Sequence, residues 1–156
     1  AKSHSITFTI YYSLFTINYS LSLIDHKLKT MDNLNIPEGY QRVMPYLIVP
    51  DAAKFIAFTQ KVFNATEKYR EMSNESVVRH AEVKLGDCVI MLADSTPEYP
   101  PQTAGLYIYV ENADETYQQA LSAGAVSLGE PADQPYGRSG GVRDPFGNTW
   151  WITSAK

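Results

Sequence analysis

Two residues, His80 and Glu82, have side chains that could move a proton to or from a bound molecule. They are two positions apart, so in an extended strand both side chains point to the same face. An imidazole beside a carboxylate can act as a general acid or base, or both can bind a divalent metal ion with Cys88 as a third ligand. The alternative is a hydrogen-bonded histidine beside a solvated glutamate.

Cys88 is the single cysteine of the chain. A thiol becomes a nucleophile when positive charge or a base lowers its pKa, and the neighbours Asp87 and Val89 provide neither. The sequence therefore favours a small apolar side chain at this position over a nucleophile. A lone cysteine also excludes an intrachain disulfide and fits a reducing compartment, so we expect a cytoplasmic protein.

Aromatic side chains are numerous, with 11 tyrosines. Three tyrosines and one tryptophan could stack on a planar or cationic ligand, an interaction worth about 0.5–2 kcal/mol per contact. Equally, they could fill the interior of the protein or a dimer seam. The four are Tyr46, Tyr107, Tyr109 and Trp151.

The segment 134–141 contains three glycines and could form a mobile flap. Such a flap would place Tyr136 and Arg138 over a ligand cleft. An ordinary surface loop is the slightly favoured alternative.

These residues are positioned by a module that occurs twice in the last two-thirds of the chain, at an offset of 61 residues. The sequence Val49-Pro50-Asp51-Ala52 opens the first copy, and Val110-Glu111-Asn112-Ala113 opens the second. A turn, Gly86-Asp87 in one copy and Gly147-Asn148 in the other, precedes the last strand of each. Two copies of one small α+β unit predict a pseudo-symmetric domain with a cleft between its halves.

Each copy is predicted to have the order βαβββ. Asp51 and Asn112 can cap the two helices, and Asn64 and Gly124 can end them. The expected strands are 44–49, 67–72, 77–85 and 88–92 in the first module (about 42–96), and 105–110 and 149–153 in the second (about 104–155), which also contains shorter strands; the expected helices are 52–63 and 113–123, and 93–104 links the modules.

Alternation along the strands predicts which face of each sheet a side chain occupies. Aliphatic residues such as Leu47, Val83 and Leu106 are expected to face the helices. The opposite, open face is expected to carry His80 and Glu82 with the ligand-binding residues Tyr46, Cys88, Ile90, Tyr107, Tyr109 and Trp151.

Residues 1–41 are predicted to be an extension before the domain at 42–156. The 19 residues from Ile6 to Ile24 carry no charge, but their hydroxyl and amide content is high for a membrane span. A change of composition at Met31 favours a translated leader or artificial extension up to about residue 30, with a membrane or export segment as the alternative.

The chain carries 13 basic and 17 acidic residues, a net charge of −4. Without residues 1–30 it keeps 10 basic and 16 acidic residues, a balance of −6. Such a surface repels nucleic acid and anionic membranes and tolerates cationic ligands. We therefore expect neither nucleic acid nor a membrane as a partner.

The duplicated βαβββ unit and three motifs resemble the glyoxalase/bleomycin-resistance/extradiol-dioxygenase (vicinal oxygen chelate) superfamily, in particular its PhnB-like proteins. The motifs are Pro-Tyr-Leu-Ile-Val-Pro-Asp at 45–51, Arg-His-Ala-Glu-Val-Lys-Leu-Gly-Asp at 79–87 and Gly-Gly-Val-Arg-Asp-Pro-Phe-Gly-Asn-Thr-Trp-Trp at 140–151. The resemblance covers about residues 42–154. It implies a curved, U-shaped mixed sheet with helices on its outer face, usually in a homodimer, with the ligand inside the concavity.

Metal-dependent members of that superfamily take their ligands from the first and fourth strands of each module. Transferred by the repeat, those positions are Met44, Ile90, Gly105 and Trp151. None offers the imidazole, carboxylate or amide oxygen that divalent metals prefer. We therefore expect no metal or other cofactor, and we do not expect glyoxalase I or extradiol dioxygenase activity.

The sequence thus predicts a homodimeric protein that binds a small organic molecule, aromatic or cationic, without a metal. One alternative is a lyase or dioxygenase with a non-standard metal site around His80 and Glu82. Another is a structural or interaction protein whose cleft is filled.

Overall fold

The computed structural model describes residues 34–156, and residues 38–156 form one compact unit. Two βαβββ modules follow each other along the chain, which confirms the predicted α+β class. The first contains β1 (Tyr46–Val49), α1 (Ala52–Phe63), β2 (Thr66–Met72), β3 (Val78–Leu85) and β4 (Cys88–Asp94); the second contains β5 (Gly105–Tyr109), α2 (Ala113–Ser122), β6 (Val126–Gln134), β7 (Gly137–Arg143) and β8 (Thr149–Ala155).

Each module forms its own four-stranded mixed sheet. The strand orders are β1-β4-β3-β2 in sheet 1 and β5-β8-β7-β6 in sheet 2, with the first pair of each parallel and the other pairs antiparallel. Among the described residues, no strand of one sheet lies beside a strand of the other. The eight strands that the structure describes over residues 34–156 therefore form two separate sheets.

Both helices begin where the sequence predicts, and α1 also ends there, whereas α2 ends at Ser122 with Ala123 as its C-cap, one residue before the predicted end. The Asp51 carboxylate accepts a hydrogen bond from the Lys54 amide at 3.0 Å, and the Asn112 side chain accepts one from the Glu115 amide at 3.1 Å. These contacts satisfy amides that a helix N-terminus leaves without partners. Asn64 ends α1 in the left-handed region at φ 53°.

One hydrophobic core joins the two modules on the helix side of both sheets. Both helices contribute to it, and so do the inward side chains of both sheets. Phe63 at the end of α1 contacts Trp150 of β8, with ring centroids 4.5 Å apart. The opposite face of each sheet, which we call the open face, lies away from this core.

The predicted faces of β4 are wrong, and this corrects the positions of Cys88 and Ile90. Leu85 pairs with Cys88 across a two-residue turn, and cross-strand partners share a face. Cys88 and Ile90 are therefore on the helix side, where Ile90 is buried in the core. Met91, which pairs with Tyr46, is on the open face instead.

The error has a simple origin in the repeat. Tyr107 lies 61 residues after its counterpart Tyr46, but Trp151 lies 60 residues after Met91, because the turns before β4 and β8 differ in length. The turn between β3 and β4 has two residues, whereas Arg143 and Thr149 pair across a five-residue turn. A one-residue slip moves every side chain of a strand to the other face.

The predictions for the extension concern mainly residues 1–33, including the uncharged run Ile6–Ile24, which lie outside the described residues. Over residues 34–156, no helix has the length and apolar character needed to span a bilayer.

Candidate functional site

A chain of hydrogen bonds crosses the open face of sheet 1. The Tyr46 hydroxyl lies 3.0 Å from Nδ1 of His80, and Nε2 of His80 lies 3.3 Å from Oε1 of Glu82. The Tyr40 hydroxyl donates to Oε2 of Glu82 at 2.7 Å. This chain of hydrogen bonds runs from an exposed phenol, through a partly buried imidazole, to the carboxylate of Glu82, whose side chain is 8% exposed.

Tyr46 is the most solvent-exposed residue of this chain of hydrogen bonds. It is 47% exposed, yet burial of part of the phenol raises its pKa above the usual value. Its ring and the His80 imidazole have centroids 5.6 Å apart. At neutral pH the phenol therefore keeps its proton and can donate it in a hydrogen bond.

Lys68 adds a positive charge next to Glu82, at the buried end of this chain of hydrogen bonds. Its ammonium lies 3.9 Å from Oε2 of Glu82 and 3.0 Å from the centroid of the Tyr40 ring. A cation over an aromatic face, next to a carboxylate, is a favourable electrostatic arrangement. Tyr69 lies on the other side of the imidazole, with its ring centroid 5.9 Å from that of His80.

Sequence reasoning missed three of these residues. Tyr40 lies before β1, in a segment without the alternation that would assign a face. Lys68 and Tyr69 are at a β-bulge, since Glu67 pairs with Val83 but Tyr69 pairs with Glu82. A bulge inserts one residue and reverses the alternation beyond it, so the pattern could not place Tyr69 on the open face.

The open face of sheet 2 carries an exposed aromatic group. Tyr107 pairs with Trp151 across β5 and β8, and the rings of Tyr107 and Tyr109 lie 5.3 Å apart. A hydrogen bond with Tyr107 is the main cause that raises the pKa of the Tyr109 phenol, and the charge of nearby Tyr136 adds to it. Tyr136 occupies the turn between β6 and β7 and is exposed.

Gly141 gives the indole of Trp151 its position on this face. A methyl group on Gly141 would lie 2.6 Å from Cζ3 of Trp151, closer than van der Waals contact allows. We expect Gly141→Ala to push the indole aside and to cost about 1–3 kcal/mol through overpacking. Near-UV circular dichroism and thermal unfolding measure both effects. Gly105→Ala on the same face, where a methyl group meets nothing within 4 Å, should change neither.

Residues 134–141 form neither the mobile flap nor the slightly favoured surface loop that the sequence suggested. Gln134 pairs with Gly137 and Ser139 pairs with Ala132, so the segment is the paired end of strands β6 and β7. Arg138 faces the helix side, where its guanidinium makes two hydrogen bonds to Asp114 of α2. Those hydrogen bonds lower the pKa of Asp114, and they keep Arg138 away from the open face.

Cys88 cannot join His80 and Glu82, because it lies on the other side of sheet 1. It lines a cavity of about 940 Å³ between the modules, together with Ile90, Phe63 and Leu106. Burial and the neighbouring Asp87 carboxylate raise the pKa of the thiol, which opposes a nucleophilic role. The predicted ligand-binding positions Cys88 and Ile90 are thus separated from the aromatic residues of sheet 1.

The donor set does not fit the divalent metal that the superfamily resemblance brings to mind. With the register corrected, the four coordinating positions are Met44, Met91, Gly105 and Trp151. Thioethers, an indole and a glycine provide none of the oxygen or imidazole ligands that such ions prefer. Within residues 34–156, no group of three or more His, Cys, Asp or Glu side chains could hold a metal ion either.

Comparison with known proteins identifies one family. Residues 39–152 match the Glyoxalase/Bleomycin resistance protein/Dioxygenase superfamily. The chain is also 34% identical over 118 residues to the uncharacterized protein Mb0911c of Mycobacterium bovis, which covers 68% of this chain and 78% of that protein.

Solved structures share the fold at low sequence identity. TioX from Micromonospora sp. ML1 is similar with a TM-score of 0.63 and 21% identity, over 74% of this chain and 99% of that one. TnmS3, an antibiotic binding protein from Streptomyces sp. CB03234, has a TM-score of 0.58 and 20% identity, over 75% of this chain and 100% of that one. A PhnB protein from Bacillus cereus has a TM-score of 0.59 and 18% identity, over 74% of this chain and 100% of that one.

Proposed function

Because the chain belongs to the glyoxalase/bleomycin resistance protein/dioxygenase superfamily, we propose that it binds a small aromatic molecule on the open faces of its sheets, without a metal ion. The observation that carries this proposal is the set of exposed aromatic side chains on those faces. They are Tyr46 and Tyr69 on sheet 1 and Tyr107, Tyr109 and Trp151 on sheet 2, each between 46% and 65% exposed.

Single exposed aromatics are common on protein surfaces, but several on one face are not. Ligand sites typically combine apolar and aromatic walls with a few polar groups that orient the ligand. Sheet 1 offers that combination, since Tyr46 and Tyr69 flank the His80 imidazole. Stacking on these rings favours a planar ligand, and the acidic balance of the chain tilts the choice toward a cation.

We infer that a second copy of the chain completes the site. The two open faces belong to sheets that do not lie side by side within one chain, and the aromatic side chains named above remain about half exposed on them. In a homodimer with sheet 1 of one copy opposite sheet 2 of the other, the faces would enclose two U-shaped cups. Sedimentation equilibrium should give twice the chain mass at micromolar concentration, and a monomer would contradict this part of the proposal.

TnmS3, an antibiotic binding protein, shares this fold, which supports small-molecule binding as a function to test here. The panel should contain planar cationic, neutral and anionic compounds, with 9-aminoacridine as the first cation. A compound at 100 times its dissociation constant stabilises the folded state by about 2.7 kcal/mol, which differential scanning fluorimetry detects. A panel in which no compound raises the melting temperature would contradict the proposal.

Tyr107→Ala should weaken the binding of the best compound. One lost stacking partner costs about 0.5–1.5 kcal/mol, a rise of roughly twofold to tenfold in the dissociation constant. The matched control is Tyr99→Ala in the segment between the modules, where the tyrosine is 65% exposed compared with 50% for Tyr107. Isothermal titration should show an unchanged constant for the control, and equal constants for the two variants would remove Tyr107 from the site.

A further inference from the structure

We propose that the open face of sheet 1 is also a proton-transfer site, in which Nδ1 of His80 takes a proton from the bound molecule and Glu82 positions the imidazole. The molecule would be a planar aromatic compound with a weakly acidic C–H or O–H group. This inference rests on the proposed aromatic site, because the molecule must lie on the same face.

The hydrogen-bond partners of the imidazole determine which nitrogen can accept a proton. Glu82 faces the Tyr40 hydroxyl and the Lys68 ammonium on Oε2, and Nε2 of His80 on Oε1. A carboxylate offers acceptors only, so Nε2 carries the hydrogen and donates it. Nδ1 is then left with its lone pair, and it accepts the hydrogen bond from the Tyr46 hydroxyl.

The burial of the three groups supports the direction of transfer. The Glu82 side chain is 8% exposed and the His80 side chain is 23% exposed, so the carboxylate is shielded and the imidazole is partly accessible. A fixed carboxylate behind an imidazole holds its tautomer and stabilises the imidazolium that forms when it takes a proton. Tyr46 is at the solvent end, and a ligand can replace its hydroxyl at Nδ1 or accept a hydrogen bond from it.

The probe for this chemistry is 5-nitrobenzisoxazole, a planar aromatic molecule with one acidic C–H. Nδ1 of His80 takes the ring C–H proton, and the electron pair of that bond becomes part of the new C≡N bond. The N–O bond breaks, and its electron pair stays on oxygen to give a nitrophenolate. The imidazolium then returns its proton to water, so the step needs no metal, oxidant or other co-reactant.

The full chain should accelerate this reaction, and His80→Ala should lower kcat/KM by at least about 100-fold, the usual contribution of a positioned general base. The variant keeps His4 and His26, so the loss is assigned to His80 alone. Tyr99→Phe should match the wild type. A wild-type rate equal to that of His80→Ala would overturn the proposal.

Glu82→Gln tests the positioning role. We expect kcat to fall by about tenfold with KM unchanged, since the carboxylate acts through the imidazole and does not touch the probe. ¹⁵N NMR of labelled histidine should show hydrogen on Nε2 in the wild type and a mixture of both tautomers in the variant. An Nδ1–H tautomer in the wild type would overturn the proposal whatever the rates.

Melting shifts measured with the same probe separate the two proposals. In one outcome the probe raises the melting temperature of the wild type and yet reacts no faster with it than with His80→Ala. That result overturns proton transfer and leaves the proposal of aromatic binding intact. A panel without any melting shift, tested with the same protein, overturns the binding proposal as well.

Discussion

Asp144→Asn is expected to destabilise the protein by about 2–5 kcal/mol, the cost of leaving buried hydrogen-bonding groups without partners. Asp144 is 4% exposed, and its two carboxylate oxygens accept four hydrogen bonds. The donors are the amides of Phe146 and Asn148, the side-chain amide of Asn148 and the indole N–H of Trp150, at 2.8 to 2.9 Å. An asparagine at this position has one oxygen and one NH₂ group, so its NH₂ group must point at two of these four donors.

The turn held by Asp144 also sets the position of the candidate site. Asn148 accepts a hydrogen bond from the Ala104 amide just before β5, and Trp150 immediately precedes Trp151. Urea unfolding followed by circular dichroism measures the loss, and Asp133→Asn, at an exposed carboxylate, should stay within about 0.5 kcal/mol of wild type. Equal stability of the two variants would contradict the role assigned to Asp144.

Gly137→Ala should be nearly as damaging. Gly137 has φ 150°, a backbone conformation that side chains rarely adopt, and an added methyl group would lie 2.2 Å from the backbone oxygen of Ser154. Since neither backbone can give way without breaking the β7–β8 pairing, we expect a loss of about 2 kcal/mol or more and a melting temperature lower by several degrees.

Gly129→Ala is the matched control for this substitution. Gly129 lies on β6 of the same sheet, has no unusual backbone angle, and a methyl group there meets nothing within 4 Å. Its melting temperature should equal or slightly exceed that of the wild type. Equal melting temperatures of the two glycine variants would show that the close approach of β7 and β8 at Gly137 does not affect stability.

Much of the fold could be predicted because its local signals are strong. Asp51 and Asn112 are good N-caps, and Asn64 is one of the few residues that readily takes the left-handed conformation. The strand alternation around Leu47 and Val83 also placed the helix side of β1 and β3 correctly, since both residues are buried. These features depend on neighbours in sequence, which the sequence shows directly.

The site was predicted less completely because its geometry depends on register. The repeat suggested that β4 and β8 share one offset, but a shorter turn before β4 moved Cys88 and Ile90 to the helix side. The bulge at Lys68 concealed Tyr69, and no periodicity marked Tyr40. Arg138 was misplaced for a different reason, because its ion pair with Asp114 joins residues 24 apart that no local pattern connects.

A mixed dimer tests the central claim, that facing sheets of two copies bind one aromatic molecule. Tyr46→Ala damages sheet 1 and Trp151→Ala damages sheet 2, so each variant alone should bind the best panel compound weakly. A dimer of one copy of each, purified through two different affinity tags, has one cup with both substitutions and one with neither. Titration should give one molecule per mixed dimer at wild-type affinity, whereas binding as weak as in either parent would contradict the claim.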